Sequence, residues 1–361
     1  MTVPPASPPA TSHGPAPAPA APLPIVIAHR GASGYRPEHT LESYRLAIEM
    51  GADFIEPDLV ATRDGALVAR HEPEIGEPTD VAAHPRFAAR RTTYVIDGRE
   101  VTGWFTIDFT LAELRTLRAV QPRPYRSKEF DGQFAVPTLE QIIELAQRES
   151  RARGRAIGIY PETKHPSWHC EQGVPLEPPL LAALGRAGWT RREDPVFLQS
   201  FEAGNLRWLR ERTGLRLIQL LDAGGLAADG RPLPAPRWIA RGGCALYDAP
   251  SVPQDFDDPA SFAAIARYAD GVGPWKRWLV GARATRGDDP TEATRQLVAP
   301  SRFVEHAHGA GLLVHPWTFR NEPQHLAADY GGDPLAEYAQ FFALGVDGVF
   351  SDFSDTAVAG G

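Results

Sequence analysis

The chain has 361 residues, 43% hydrophobic and 23% charged, a balance that excludes a wholly disordered polypeptide and suits one large β/α barrel with insertions. A formal net charge of −8 argues against a broad nucleic-acid-binding surface, and no apolar run is long enough for a membrane-spanning helix, so no stable membrane insertion is expected. Two cysteines, Cys170 and Cys244, allow one bridge at most, and of 37 basic residues only Lys128, Lys164 and Lys276 are lysines.

Residues 1–22 hold eight Pro and six Ala and no charged side chain, the composition of an extended tether, so residues 1–23 are set apart as a Pro/Ala-rich tail. The segment is not itself a signal peptide, since it has neither a basic start nor an apolar stretch. The composition resembles the linker behind bacterial export signals, which favours a periplasmic or secreted protein over a cytoplasmic one. From Pro24 onward, short apolar runs alternate with helical periodicity. Strands are expected at 25–28, 54–59, 156–160, 196–199, 215–220, 271–273, 312–315 and 347–350, with an arm at 66–71. Helices are expected at 41–50 (capped by Thr40), 138–151, 178–188, 202–212, 260–267, 301–309 and 334–343. The segment 72–137 breaks the alternation, with one short helix at 111–118, and reads as an insertion in a barrel domain spanning 24–361. Eight strand–helix units predict an α/β fold, a TIM (β/α)8 barrel with a small insertion after the second strand. An open doubly wound sheet is disfavoured, since no GxGxxG turn follows a strand.

In such a barrel the chemistry lies at the C-terminal strand ends. His29 and Arg30 end the first strand, Glu56 and Asp58 the second, and His71 the arm. Glu162 and Lys164 follow the third strand, Gln199 ends the fourth and Trp317 follows the seventh. Glu56 and Asp58, two apart on a strand, point to one face. An ExD pair alone is usually a surface or salt-bridged pair of acids. With Glu162 one strand on, it becomes an all-oxygen set suited to Ca2+ or Mg2+ rather than zinc. Two imidazoles beside that set, His29 and His71, can share general acid and base roles. Arg30 and Lys164 supply cations for phosphate, and Lys276 is a weaker candidate of the same kind. Together these groups suit phosphate-ester cleavage.

The stretch Ala28-His-Arg-Gly-Ala-Ser-Gly-Tyr-Arg-Pro-Glu-His-Thr-Leu-Glu-Ser-Tyr44, with Phe54-Ile-Glu-Pro-Asp58, Thr62-Arg-Asp-Gly65 and His71, resembles the glycerophosphodiester phosphodiesterase family. Pro161-Glu-Thr-Lys164, Leu198-Gln-Ser-Phe201, His315-Pro-Trp-Thr318 and Asp347-Gly-Val-Phe-Ser-Asp352 resemble later strand ends of that family, so the likeness runs over about residues 25–355. The insertion resembles that of the family's periplasmic or secreted branch. The resemblance implies metal-dependent hydrolysis of glycerophosphodiesters to sn-glycerol 3-phosphate and an alcohol. His29 and His71 would be the acid–base pair, and Glu56, Asp58 and Glu162 would hold Ca2+, with Mg2+ as the alternative ion. Arg30 and Lys164 would bind phosphate. His39 stands where many members have Asn, and Glu72 where many have Asp. Two competing readings are a phospholipase D-like enzyme on lysophospholipid or sphingolipid, with an apolar rim near Trp275 and Trp278, and a catalytically silent barrel that binds glycerophosphate.

Overall fold

The structure, a computed structural model, describes residues 23–235, 252–285 and 291–361. The Pro/Ala-rich residues 1–22 and Cys244 lie outside the described residues.

All eight expected barrel strands form, and each pairs in parallel with its neighbours. The first, Ile25–His29, runs between Phe54–Glu56 and the last strand, Gly348–Ser351. Phe197–Ser200, Arg216–Leu221, Gly271–Pro274 and Leu313–Val314 follow side by side. The circle closes where Asp347 N–H donates to Val314 O at 3.0 Å and Phe350 N–H to Pro316 O at 3.0 Å. The expected second strand is interrupted at Pro57, and the third, expected to end at Tyr160, resumes beyond Pro161, because proline brings no N–H to the ladder. The second strand therefore splits into Phe54–Glu56 and Asp58–Ala61, and the third into Gly158–Ile159 and Glu162–Thr163. The outer pieces pair with each other, Asp58 opposite Glu162, and Glu162 opposite Gln199. The interruption thus leaves the acidic residues in one layer at the barrel's C-terminal mouth.

The barrel interior is packed rather than open. Ile27, Tyr160, Phe197, Ile218 and Phe350 fill it, and Tyr160 stacks on Phe197 with ring centroids 4.8 Å apart. A larger core lies between strands and outer helices. The helix Leu41–Glu49 shows how sequence sets one of those contacts. Thr40 caps it by accepting from Ser43 N–H, and the 3.6-residue repeat buries Tyr44, Ala47 and Ile48. Thr138 and Gln141 form a full capping box at Leu139–Arg153, which ends on the left-handed Gly154.

Residues 72–137 fold onto the antiparallel arm, where Leu67–Ala69 pairs with Asp58–Ala61. Val60 and Val68 of the arm pack with Ile75, Phe87, Phe109 and Leu117 in a separate apolar cluster. Each Phe buried there contributes roughly 1.5–3 kcal/mol relative to exposure. The expected helix at 111–118 shortens to Leu111–Leu114, with a Thr110–Glu113 capping box. A β-hairpin, Thr92–Ile96 with Arg99–Gly103, was not anticipated. Its turn is Asp97-Gly98, both at positive φ (50° and 79°), the geometry of a two-residue hairpin turn. Among the described residues, no helix is long and apolar enough to cross a membrane. Trp278 packs edge-on against Phe256 and donates to Asp222 O, so it forms part of the core rather than an apolar rim.

Candidate active site

At the mouth of the barrel a cavity of about 260 Å3 brings together His29, Arg30, Glu56, His71, Glu162, Lys164, Gln199 and Trp317. Asp58 lies beside it, so all nine residues singled out in the sequence converge. Lys276 does not. Its ammonium is buried against both Glu337 carboxylate oxygens at 2.7 and 2.9 Å, so the scarcity of lysine pointed there to a structural ion pair.

Glu56, Asp58 and Glu162 each offer a carboxylate oxygen, and the three oxygens lie within 4.8 Å of one another. The residues are only 1%, 1% and 6% exposed. Burial and then the charges of Asp58 and Glu162 push the Glu56 carboxyl well above the usual range. Burial likewise raises Glu162 to about 8, against the pull of Lys164, whose Nζ lies 2.9 Å from Glu162 Oε1. Asp58 departs the other way. Burial opposes its charge, but the His39 hydrogen bond and Lys164 outweigh it and hold the carboxyl well below the usual range. Three buried hard-oxygen donors that cannot all be charged side by side fit a divalent cation, which would let all three ionise.

The residues around this triad are held by local backbone geometry. After His29 the chain takes two left-handed steps, Arg30 at φ 60° and Gly31 at φ 83°. That turn aims the Arg30 N–H at Glu56 Oε2, 2.8 Å away. A Cβ at Gly31 would collide with Ser43, so the position requires glycine. The Arg30 guanidinium spans Glu38, 3.1 Å from Oε2, and Asp58, 3.5 Å from Nε. Gln199 donates its side-chain N–H to Glu56 Oε1 at 3.0 Å, so it braces a carboxylate of the triad while lining the cavity. Trp317 donates its ring N–H to Gly273 O at 2.7 Å and presents its ring to the cavity wall.

Each imidazole leans on a carboxylate through Nδ1. His29 Nδ1 lies 2.6 Å from Asp352 Oδ1, and His71 Nδ1 lies 3.0 Å from Glu72 Oε1. Lys164 Nζ stands 3.4 Å from His71 Nε2, so that nitrogen carries the lone pair. Burial and then Arg30 lower His29 to about 3, and burial, Arg30 and Lys164 lower His71 to about 4. Both rings thus favour the neutral form, with Nδ1 turned to a carboxylate and Nε2 left to accept a proton, a position that in His71 faces Lys164 Nζ.

Several functional side chains escaped the sequence reading. Asp352 holds His29, and Arg126 from the insertion and Arg320 hold Asp352 Oδ2 at 2.6 and 2.9 Å. His39, buried at φ 56°, bridges Asp58 Oδ2 at 2.9 Å and Tyr44 Oη at 2.8 Å. The position of Asp352 at a strand's C-terminal end was a usable signal; Arg126 and Arg320 carried none, since only barrel closure brings them to the mouth.

The sequence model of the glycerophosphoryl diester phosphodiesterase family matches residues 29–255 and 259–356. The chain is 34% identical over 344 residues to a glycerophosphodiester phosphodiesterase of Arabidopsis thaliana, covering 92% of this chain and 84% of that protein. It is 31% identical over 352 residues to a glycerophosphodiester phosphodiesterase of Haemophilus influenzae, covering 92% and 88%. Among solved structures, an Oleispira antarctica phosphodiesterase in complex with the product sn-glycerol-3-phosphate superposes with a TM-score of 0.58 at 19% identity, covering 94% of this chain and 96% of that one. A glycerophosphodiester phosphodiesterase from Agrobacterium tumefaciens superposes at 0.54 and 20%, covering 93% and 100%. These structures share the fold.

Proposed function

The chain belongs to the glycerophosphoryl diester phosphodiesterase family and is an enzyme of that type, and from this we propose that Glu56, Asp58 and Glu162 hold a divalent cation while His29 and His71 exchange protons with a glycerophosphodiester. The products are sn-glycerol 3-phosphate and the free alcohol. The product named for the Oleispira antarctica complex supports this. The observation that carries the reading is the buried acidic triad with two imidazoles around one cavity.

The hard oxygen donors suit Ca2+ or Mg2+; when bound, the ion would polarise a phosphoryl oxygen and offset negative charge developing on the phosphoryl oxygens. Arg30, beside Asp58, and Lys164, beside Glu162, place fixed cations at the same space. One imidazole Nε2 takes the proton of the attacking hydroxyl as its oxygen bonds to phosphorus. The P–O bond to the head-group alcohol breaks, and the other imidazole, which takes up a proton from solvent when the anionic diester binds, protonates the leaving oxygen. The bound phosphate's negative charge favours protonation of that second ring. Attack by the substrate's own 2-hydroxyl, with water opening the cyclic phosphate, and direct attack by water both use this pair.

Phosphorus NMR of glycerophosphocholine incubated with the metal-replete protein tests the reading. Conversion to glycerol 3-phosphate is expected. An unchanged diester under both Ca2+ and Mg2+ would overturn it.

A further inference from the structure

The hairpin of the insertion reaches into the cavity wall. At its tip, Asp97 Oδ2 lies 2.6 Å from His165 Nδ1, and His165 Nε2 lies 2.7 Å from Glu72 Oε2. The other oxygen of Glu72 is the one that meets His71 Nδ1 at 3.0 Å. Four side chains from three segments thus form one continuous chain of hydrogen bonds ending on His71. His165 has a carboxylate at each nitrogen, so both N–H groups donate and the ring is an imidazolium; burial opposes that charge, but Asp97 and Glu72 raise its pKa to about 9. His165 sits at φ 42°, directly after Lys164, a backbone state that a non-glycine residue adopts only when its surroundings impose it.

We propose that Asp97 is a positioning residue, which acts through His165 and Glu72 to fix the ring orientation and tautomer of His71. The proposal rests on His71 belonging to the acid–base pair. Its physical basis is the exposure of the end of the chain nearest the cavity. The Glu72 side chain is 44% exposed and His71 34%, so neither is clamped by packing. With His165 held from behind by Asp97, Glu72 keeps its second oxygen on Nδ1 and leaves Nε2 facing the cavity. Once Asp97 is removed, His165 loses its Nδ1 partner and the charge that Asp97 stabilises, its hold on Glu72 weakens, and His71 populates rotamers and tautomers that cannot accept the proton. The hairpin is therefore part of the proton-handling machinery, and its turn sequence Asp97-Gly98 supplies the carboxylate as well as the fold.

Steady-state kinetics of the metal-replete full chain on glycerophosphocholine test this, with Asp97→Ala, Asp97→Asn and His71→Ala compared. Asp97→Ala is expected to lower kcat about 10–100-fold, the usual effect of losing an orienting partner, with KM within twofold. Asp97→Asn keeps an acceptor oxygen and should recover most of the loss. Wild-type kcat in Asp97→Ala together with an inactive His71→Ala would overturn the positioning role alone. Full activity in His71→Ala would instead overturn the acid–base reading. A measurement on the wild-type protein does not depend on how the variants fold: nitrogen-15 shifts of the His71 ring should show the Nδ1–H tautomer. The Nε2–H tautomer would refute the proposal.

Discussion

Raising the pH should loosen the contact between insertion and barrel at His165. Its pKa rises from 6.5 to about 9 because hydrogen bonds to Asp97 and Glu72 outweigh the cost of burial. A raised folded-state pKa contributes stability that is fully present below 6.5 and is lost as pH climbs through about 9. The rise corresponds to about 3 kcal/mol, and the side chain is only 12% exposed, so solvent screening removes little of it. Roughly 2 cal/mol/K of unfolding entropy per residue gives a protein of this size about 0.7 kcal/mol per degree, so the loss converts to a fall of about 4 °C in Tm. Thermal unfolding from pH 6 to pH 10, run on the wild type and His165→Gln, isolates the effect because other titrating groups are common to both. The wild type should be the more stable protein at pH 6, and the gap should close by pH 10. A gap that is constant, or that widens with pH, would refute the ion-pair account of this contact.

Other outcomes follow from the site and the core. His29→Ala and His71→Ala should each lower kcat about 10²–10⁴-fold while calorimetry finds divalent-ion binding unchanged; wild-type turnover in either variant removes that ring from the pair. His39→Ala frees Asp58 and should weaken divalent-ion affinity about 10–100-fold, with His39→Asn restoring most of it through its amide N–H; equal affinity in all three would show that Asp58 needs no brace. Gly158→Ala would drive a methyl into the Phe54 ring, so denaturant titration should show a loss of about 1–3 kcal/mol; an unchanged midpoint would contradict the packing at that strand.

The eight strands were legible because they are short, mostly apolar runs between helical stretches, and the polar residues were legible because a barrel displays them at one end. His29, Glu56, Asp58, His71 and Glu162 could thus be placed in one site with no coordinates. The break at Pro57 went unread because apolar residues stand on both sides of it, and the strand's return at Glu162–Thr163 went unread because that piece is short and polar. The hairpin at 92–103 carries an Asp-Gly turn signal, but its strands are mostly exposed and lack the apolar alternation that marks half-buried strands. The groups that hold the imidazoles lie far from them along the chain. Asp352 is 323 residues from His29, and Arg126 is 226 from Asp352, so only closure of the barrel and docking of the insertion reveal them. Lys276 shows the opposite error, a rare residue type whose charge is satisfied in the core by Glu337.

The divalent ion proposed on Glu56, Asp58 and Glu162 should be required for diester cleavage. The most direct test is the rate of glycerol 3-phosphate release from glycerophosphocholine after EDTA treatment and titration with Ca2+ or Mg2+, for the wild type and Asp58→Asn. The account predicts that chelation abolishes release, that added metal restores it in the wild type, and that Asp58→Asn needs far more metal or stays silent. Undiminished release in EDTA, or identical metal curves for the two proteins, would contradict it.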